Sequence, residues 1–167
     1  MTTDGRKGHT ALAEEVIAGA SRRGIMLTVA ESCTGGMVAA ALTDIAGASA
    51  VLDRGFVTYS NAAKSDLLGV ADDTLAAHGA VSGETAAEMA YGALKAAPFC
   101  QIAVAVTGIA GPGGGSAEKP VGLVWFGLAV RDGEVVTSRH RFHGDRTAIR
   151  LQAAETAMRL LLEGIGA

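Results

Sequence analysis

Short apolar runs along this chain alternate with longer segments in which apolar residues recur every three or four positions. From His9 to Arg23, Leu12, Val16, Ile17 and Ala20 fall at helical spacing, and Gly24 supplies a stop. Ile25–Val29 is short and rich in β-branched residues, which predicts a buried strand. Met37–Leu42 is a run of good helix formers, so a helix is expected to about Ala46, before Gly47-Ala48-Ser49 breaks it. Arg54–Ser60 reads as a second strand, with Asn61 capping a short helix, Ala62–Leu68, that Gly69 ends. Asp72–His78 predicts another short helix. Ser82 caps a longer one running to about Ala97 and closed by Pro98. Between Cys100 and Thr107, Ile102, Val104 and Val106 alternate with Ala103 and Ala105, the pattern of a strand buried on both faces. Pro120–Val130 and Glu134–Phe142 are two more strands, joined through a hairpin signal at Asp132-Gly133. Asp145–Glu163 is a final helix with Ile149, Met158, Leu161 and Leu162 inward.

Helices alternating with apolar strands predict an α/β fold: a three-layer α/β/α sandwich with a mixed, mostly parallel sheet and a C-terminal hairpin plus helix. No repeat, linker or low-complexity segment divides the chain. Residues 9–167 are expected to form a single domain, with the polar, glycine-containing residues 1–8 as a flexible tail. A length of 167 residues suits one sizeable core. Hydrophobic residues make up 49% and charged residues 19%, which excludes a disordered chain. Aromatics are only 4% against 23 glycines, so the core must be built from Ala, Val, Leu and Ile with close backbone approaches. A net charge of −3 without any Lys/Arg cluster argues against a dedicated nucleic-acid partner. Two cysteines, Cys33 and Cys100, make neither a disulfide framework nor a Cys-based zinc site. The apolar run Val121–Val130 is too short to span a bilayer, and no secretory pattern opens the chain, so a cytoplasmic protein without a membrane partner is expected.

Candidate chemistry centres on Ala30-Glu31-Ser32-Cys33-Thr34-Gly35-Gly36, between the first strand and the following helix. A strand, a small polar turn and a helix put Ser32 and Thr34 near a helix N-terminus, where unpaired N–H groups collect. Such a turn binds an anion, stabilises an oxyanion or carries a nucleophile, unless Ser32 or Thr34 merely caps the helix. The glycine-rich Gly108–Gly115 follows the second buried strand and offers a phosphate cradle or a plain connector. Arg146 and Arg150 share a helix face, and Arg146 either completes an anion site or pairs with a surface carboxylate.

Several signatures are absent. No Gly-Lys-Ser/Thr makes a P-loop, and no Gly-x-Gly-x-x-Gly joins a strand to a helix. Ser116-Ala117-Glu118-Lys119 matches the Ser-x-x-Lys of β-lactamases but lies in a loop before Pro120, and is a decoy. The four histidines lack metal-site spacing, so neither metal nor cofactor is expected. A serine without a His-Asp pair points to lysine as base, and Lys64 also begins a helix that follows a strand. An ordinary lysine is neutral in roughly one molecule in 2,500 at pH 7. A useful base needs its pKa lowered by about two to three pH units, through burial or a nearby cation. A cation in the first turn of a helix opposes the dipole and pushes that way, although Lys64 also reads as a solvated surface residue. Tyr59 is placed to donate to Ser32 or Lys64, and Cys33 competes as nucleophile.

The segments AESCTGG (30–36), GFVTYSNAAKSDLLGV (55–70), HGAVS (78–82), TGIAGPGGG (107–115) and KPVGLVWFG (119–127) together resemble the CinA carboxy-terminal domain family. The resemblance covers about residues 9–164. That family includes bacterial nicotinamide mononucleotide deamidases, which convert nicotinamide mononucleotide to nicotinate mononucleotide and ammonia in pyridine nucleotide salvage. It also includes larger proteins with an extra amino-terminal domain; this chain resembles the stand-alone form. The resemblance implies a compact α/β/α domain with Ser32 as nucleophile, Lys64 as base and Tyr59 beside them. Substrate contacts are then expected from Glu31, Cys33, Thr34, Gly35, Gly36 and Asn61, with Glu31 either facing the pyridinium or capping a helix. Thr107, Gly108, Ala110, Gly111 and Arg146 would hold the 5′-phosphate. A homodimer is the expected assembly, and a non-catalytic nucleotide-binding module the alternative function.

Overall fold

The structure, a computed structural model, describes residues 3–166, with side chains from residue 8 onward. These residues form α1 (Thr3–Arg23), β1 (Leu27–Glu31), α2 (Met37–Thr43), a 3-10 turn (Ala48–Ala50), β2 (Leu52–Val57), α3 (Asn61–Leu68) and α4 (Asp72–His78). They continue as α5 (Gly83–Ala96), β3 (Ile102–Gly108), β4 (Leu123–Val130), β5 (Val135–Arg141) and α6 (Arg146–Gly166). The strands make one sheet in the order β2-β1-β3-β4-β5. β1 runs parallel to both of its neighbours, and β4 runs antiparallel to β3 and β5. Only β4 is therefore reversed, which is the mixed α/β architecture the alternating pattern predicts.

The two faces of the sheet are packed differently. Leu27, Val29, Ile102, Val104, Val106, Val124 and Phe126 meet the apolar stripes of α1, α2 and α6. The opposite face presents Ala30, Ala103, Ala105 and Ala129, over which α3 and α5 close. Small residues on this face let α5 approach until only Gly127 fits beneath it: a methyl there would lie 2.2 Å from the Ala86 carbonyl oxygen. Burying these aliphatic side chains contributes the main favourable term, since each is worth about 1.5–3 kcal/mol when large.

Several boundaries move for local reasons. β2 ends at Val57 because Ser60, and not Asn61, caps α3: its Oγ accepts from the Ala63 N–H at 3.1 Å. α2 stops at Thr43, whose hydroxyl bonds back to the Ala39 and Ala40 carbonyls. The expected flexible tail is helical from Thr3 on, and Met1 and Thr2 lie outside the described residues. Extending an existing helix adds one hydrogen bond per residue fixed, so polar residues can be drawn into it. Among the described residues no helix is long and apolar enough to cross a membrane.

This topology brings the carboxyl ends of β2, β1 and β3 side by side, the edge where α/β sheets gather ligands. α3 is set against that edge by α5. At their contact a methyl on Gly92 would sit 1.8 Å from the Leu68 carbonyl oxygen, a backbone atom that cannot swing away. Gly92→Ala should therefore cost about 1–3 kcal/mol. The measurement is a thermal melt, with Tm falling roughly 2–4 °C per kcal/mol. An unchanged Tm would show that α3 and α5 are not held this closely.

Candidate active site

Ser32 leaves the end of β1 with its backbone fixed at two points. Its N–H donates to the Val106 carbonyl at 2.9 Å, and its carbonyl accepts from the Gly35 N–H at 3.1 Å. The turn closes through Gly35 (φ 59°) and Gly36 (φ 97°), left-handed conformations that glycine adopts without strain. α2 starts only at Met37, and its N-terminus is capped by Glu31. One oxygen of the Glu31 carboxylate accepts from Gly36 N–H (2.9 Å) and Val38 N–H (3.1 Å), and the other from Ala39 N–H (2.8 Å). Those N–H groups and the positive helix end are thus engaged internally. Ser32 and Thr34 do not cap the helix, and the buried Thr34 hydroxyl has no partner among the described residues.

Lys64 reaches Ser32 from the neighbouring strand's connection. It lies one turn into α3, and its side chain is only 1% exposed. Its Nζ stands 3.0 Å from Ser32 Oγ and donates to the Thr58 carbonyl at 2.8 Å. Among the described residues no carboxylate pairs with it. Burial pushes the amine below its ordinary value of 10.5. The reading of Lys64 as a solvated surface residue is therefore corrected, and desolvation is the cause of its shift. Cys33 is buried as well, and burial pushes its thiol up to about 12, so it is protonated at neutral pH. A protonated thiol is a poor nucleophile.

Ser32 and Lys64 open into a cleft of about 240 Å³ lined also by Cys33, Tyr59, Ala80, Val81, Thr107, Gly108, Ala110 and Arg146. No carboxylate is among these residues. A larger hollow of about 580 Å³ between α1 and α6 holds no serine, cysteine or lysine. Tyr59 lines the same cleft as Ser32 and Lys64, is 62% exposed at its rim, and its hydroxyl accepts from Arg146 Nη2 at 2.9 Å. Arg146 Nη1 donates to the Gly111 carbonyl at 2.9 Å, tying α6 to the glycine-rich loop. The Thr107 hydroxyl is committed to the Ala80 carbonyl at 2.6 Å. Glu31, Thr34, Gly35, Gly36, Asn61 and Gly111 lie outside the lining. The Lys119 amine does not meet the Ser116 hydroxyl: Ser116 Oγ accepts from the Lys119 backbone N–H, while Lys119 Nζ donates to the His78 carbonyl.

Ala80 and Val81 are the cleft residues that reading for reactive side chains misses. Nothing in their chemistry marks them. The polar residues around them carry the signal, since Thr107, Ser82 and Thr85 all bond to carbonyls of Gly79 or Ala80 and hold this wall rigid.

The fold coincides with that of a known family. The CinA C-terminal domain family matches residues 9–165, and the chain belongs to it. It is 59% identical over 152 residues to the nicotinamide-nucleotide amidohydrolase PncC of Enterobacter agglomerans, covering 89% of this chain and 92% of that protein. Identity to PncC of Escherichia coli (strain K12) is 56% over 150 residues, with 90% of each chain covered. Among solved structures, the competence/damage inducible protein CihA of Agrobacterium tumefaciens superposes with a TM-score of 0.91 at 52% identity. That match covers 94% of this chain and 95% of CihA.

Burial of Lys64 makes stability depend on pH with a definite sign. The charged amine is disfavoured in the folded chain, so between the lowered folded pKa and 10.5 the unfolded chain binds the extra proton. Stability contributed at Lys64 therefore rises with pH across that window and is lost as pH falls through the folded value. Measured by urea unfolding, the wild type should gain on Lys64→Met as pH rises, by at most about 1.4 kcal/mol per pH unit. A constant difference would mean that Lys64 titrates normally.

Proposed function

We propose that this chain hydrolyses the carboxamide of nicotinamide mononucleotide to nicotinate mononucleotide and ammonia, with Ser32 as nucleophile and Lys64 as base. Its amidohydrolase class rests on the identities of 59% and 56% to nicotinamide-nucleotide amidohydrolases. The observation that supports the serine–lysine pair is the buried 3.0 Å approach of Lys64 Nζ to Ser32 Oγ, with no carboxylate among the described residues to hold the amine charged.

In its neutral form the Lys64 amine donates to the Thr58 carbonyl and turns its lone pair toward the Ser32 hydroxyl. Lys64 takes the hydroxyl proton as Ser32 Oγ attacks the carboxamide carbon, giving a tetrahedral oxyanion. The oxyanion falls to the backbone N–H groups of Cys33 and Thr34. Neither has a backbone acceptor among the described residues, whereas the Gly35 N–H is already spent on Ser32. The Lys64 ammonium then gives its proton to the departing nitrogen, which leaves as ammonia. Water attacks the resulting ester, Lys64 takes one of its protons and returns it to Ser32 Oγ, and the carboxylate product is released.

The cleft suits such a substrate. Ala80, Val81 and Ala110 offer an apolar wall to a pyridine ring, and Arg146 is the permanently charged cation on the rim for a 5′-phosphate. The absence of acidic lining residues favours that anion. The apolar wall does not discriminate amides, so selectivity for the nucleotide falls to Arg146.

Ammonia release from nicotinamide mononucleotide tests the reading. Ser32→Ala and Lys64→Arg should each lose about 100- to 10,000-fold in kcat, because arginine keeps the charge but cannot accept a proton. Cys33→Ala should retain activity within a small factor. The acidic limb of kcat/KM should fall below 10.5, with activity rising as Lys64 loses its proton. Full activity in Ser32→Ala, or saturable binding of the nucleotide without ammonia, would overturn the proposal.

A further inference from the structure

Arg150 stands directly behind the nucleophile turn and outside the cleft lining. Its Nε donates to the Cys33 carbonyl at 3.0 Å and its Nη2 to the Thr34 carbonyl at 2.6 Å. It is half-buried, and among the described residues no carboxylate pairs with it. A guanidinium that could have satisfied itself on an acid is instead held by two backbone carbonyls from a turn more than a hundred residues away in sequence.

A trans peptide points its C=O and N–H in opposite directions. The Ser32–Cys33 peptide has its carbonyl held by the Gly35 N–H, and the Cys33 N–H has no backbone acceptor among the described residues. The Cys33–Thr34 peptide has its carbonyl held by Arg150 Nε, leaving the Thr34 N–H without an acceptor among the described residues. Two consecutive peptides are therefore gripped at their oxygens, and their N–H groups, next to Ser32 in sequence, have no backbone acceptor among the described residues. A cation on the oxygen end also polarises the amide and makes its N–H a stronger donor.

We propose that Arg150 is a positioning residue for the oxyanion site: it fixes and polarises the Cys33–Thr34 peptide, so that the Thr34 N–H is aimed before substrate arrives. This rests on the serine acyl-transfer reading above. Arg150 touches neither the substrate cleft nor Lys64, so its contribution enters through transition-state charge and not through substrate binding or base strength.

The test compares wild type, Arg150→Ala and Arg150→Lys in two assays. The first is steady-state ammonia release from nicotinamide mononucleotide; the second is the rate at which a fluorophosphonate labels Ser32, read by mass spectrometry. Arg150→Ala should lower kcat roughly 10- to 100-fold with KM nearly unchanged, the scale expected when a donor is misaligned. Labelling should slow in parallel, the pH of the acidic limb should stay where it is, and added guanidinium should restore part of both rates. Arg150→Lys keeps the charge and should fall between the other two, which separates positioning from a failure to fold. If wild type is labelled but releases no ammonia, the substrate assignment fails, while slower labelling of Arg150→Ala still upholds the role of Arg150. An unreactive Ser32, equal labelling in wild type and Arg150→Ala, or a loss confined to KM overturns it.

Discussion

Lys64 carries its amine into a place where, among the described residues, no carboxylate waits for it, and the contacts with Thr58 and Ser32 replace only part of the lost hydration. A fold does not bury such a group without cost, since an unpaired charge in the interior is among the most unfavourable features a protein carries. The neutral form relieves that cost. The same burial that threatens stability thereby supplies a base at moderate pH, and the serine beside it needs no histidine. An acid placed within salt-bridge distance would stabilise the fold and hold the amine protonated.

Much of the remaining structure serves to keep that arrangement in register. The parallel pairing of β1 with β2 and β3 puts three strand ends together, so Ser32, Thr58 and Thr107 emerge along one edge. The alanine face of the sheet and the close contacts at Gly127 and Gly92 let α5 and then α3 settle near enough for Lys64 to reach across. Glu31 locks the start of α2, and Arg150 ties the nucleophile turn to α6. Arg146 does the same for the glycine-rich loop and Tyr59. The site is thus braced by α6, through Arg150 from outside the cleft and through Arg146 at its rim.

The layers of the fold were legible because its strands announce themselves by burial on both faces, as in Ile102–Gly108, and its helices by cap and stop residues such as Ser82 and Gly69. Ser32 and Lys64 were legible because each follows a strand that ends at the same sheet edge. Other roles depended on where a side chain folds back, which spacing does not reveal. Glu31 caps a helix that begins six residues later, reaching it over the turn instead of from the usual cap position. The Thr107 hydroxyl donates to the Ala80 carbonyl and the Tyr59 hydroxyl accepts from Arg146, contacts that the residue types and their spacing do not reveal. In each case a long-range hydrogen bond adds a constraint that the residue type leaves open.

The protonation state of Lys64 is the quantity on which the chemistry turns. It can be read directly by titrating the lysine side-chain resonances of isotope-labelled protein by NMR, with Lys64→Arg to assign the signal. A buried base predicts a midpoint clearly below 10.5 for this residue alone. A midpoint at or above that value would mean that Lys64 stays charged beside Ser32 and cannot take its proton.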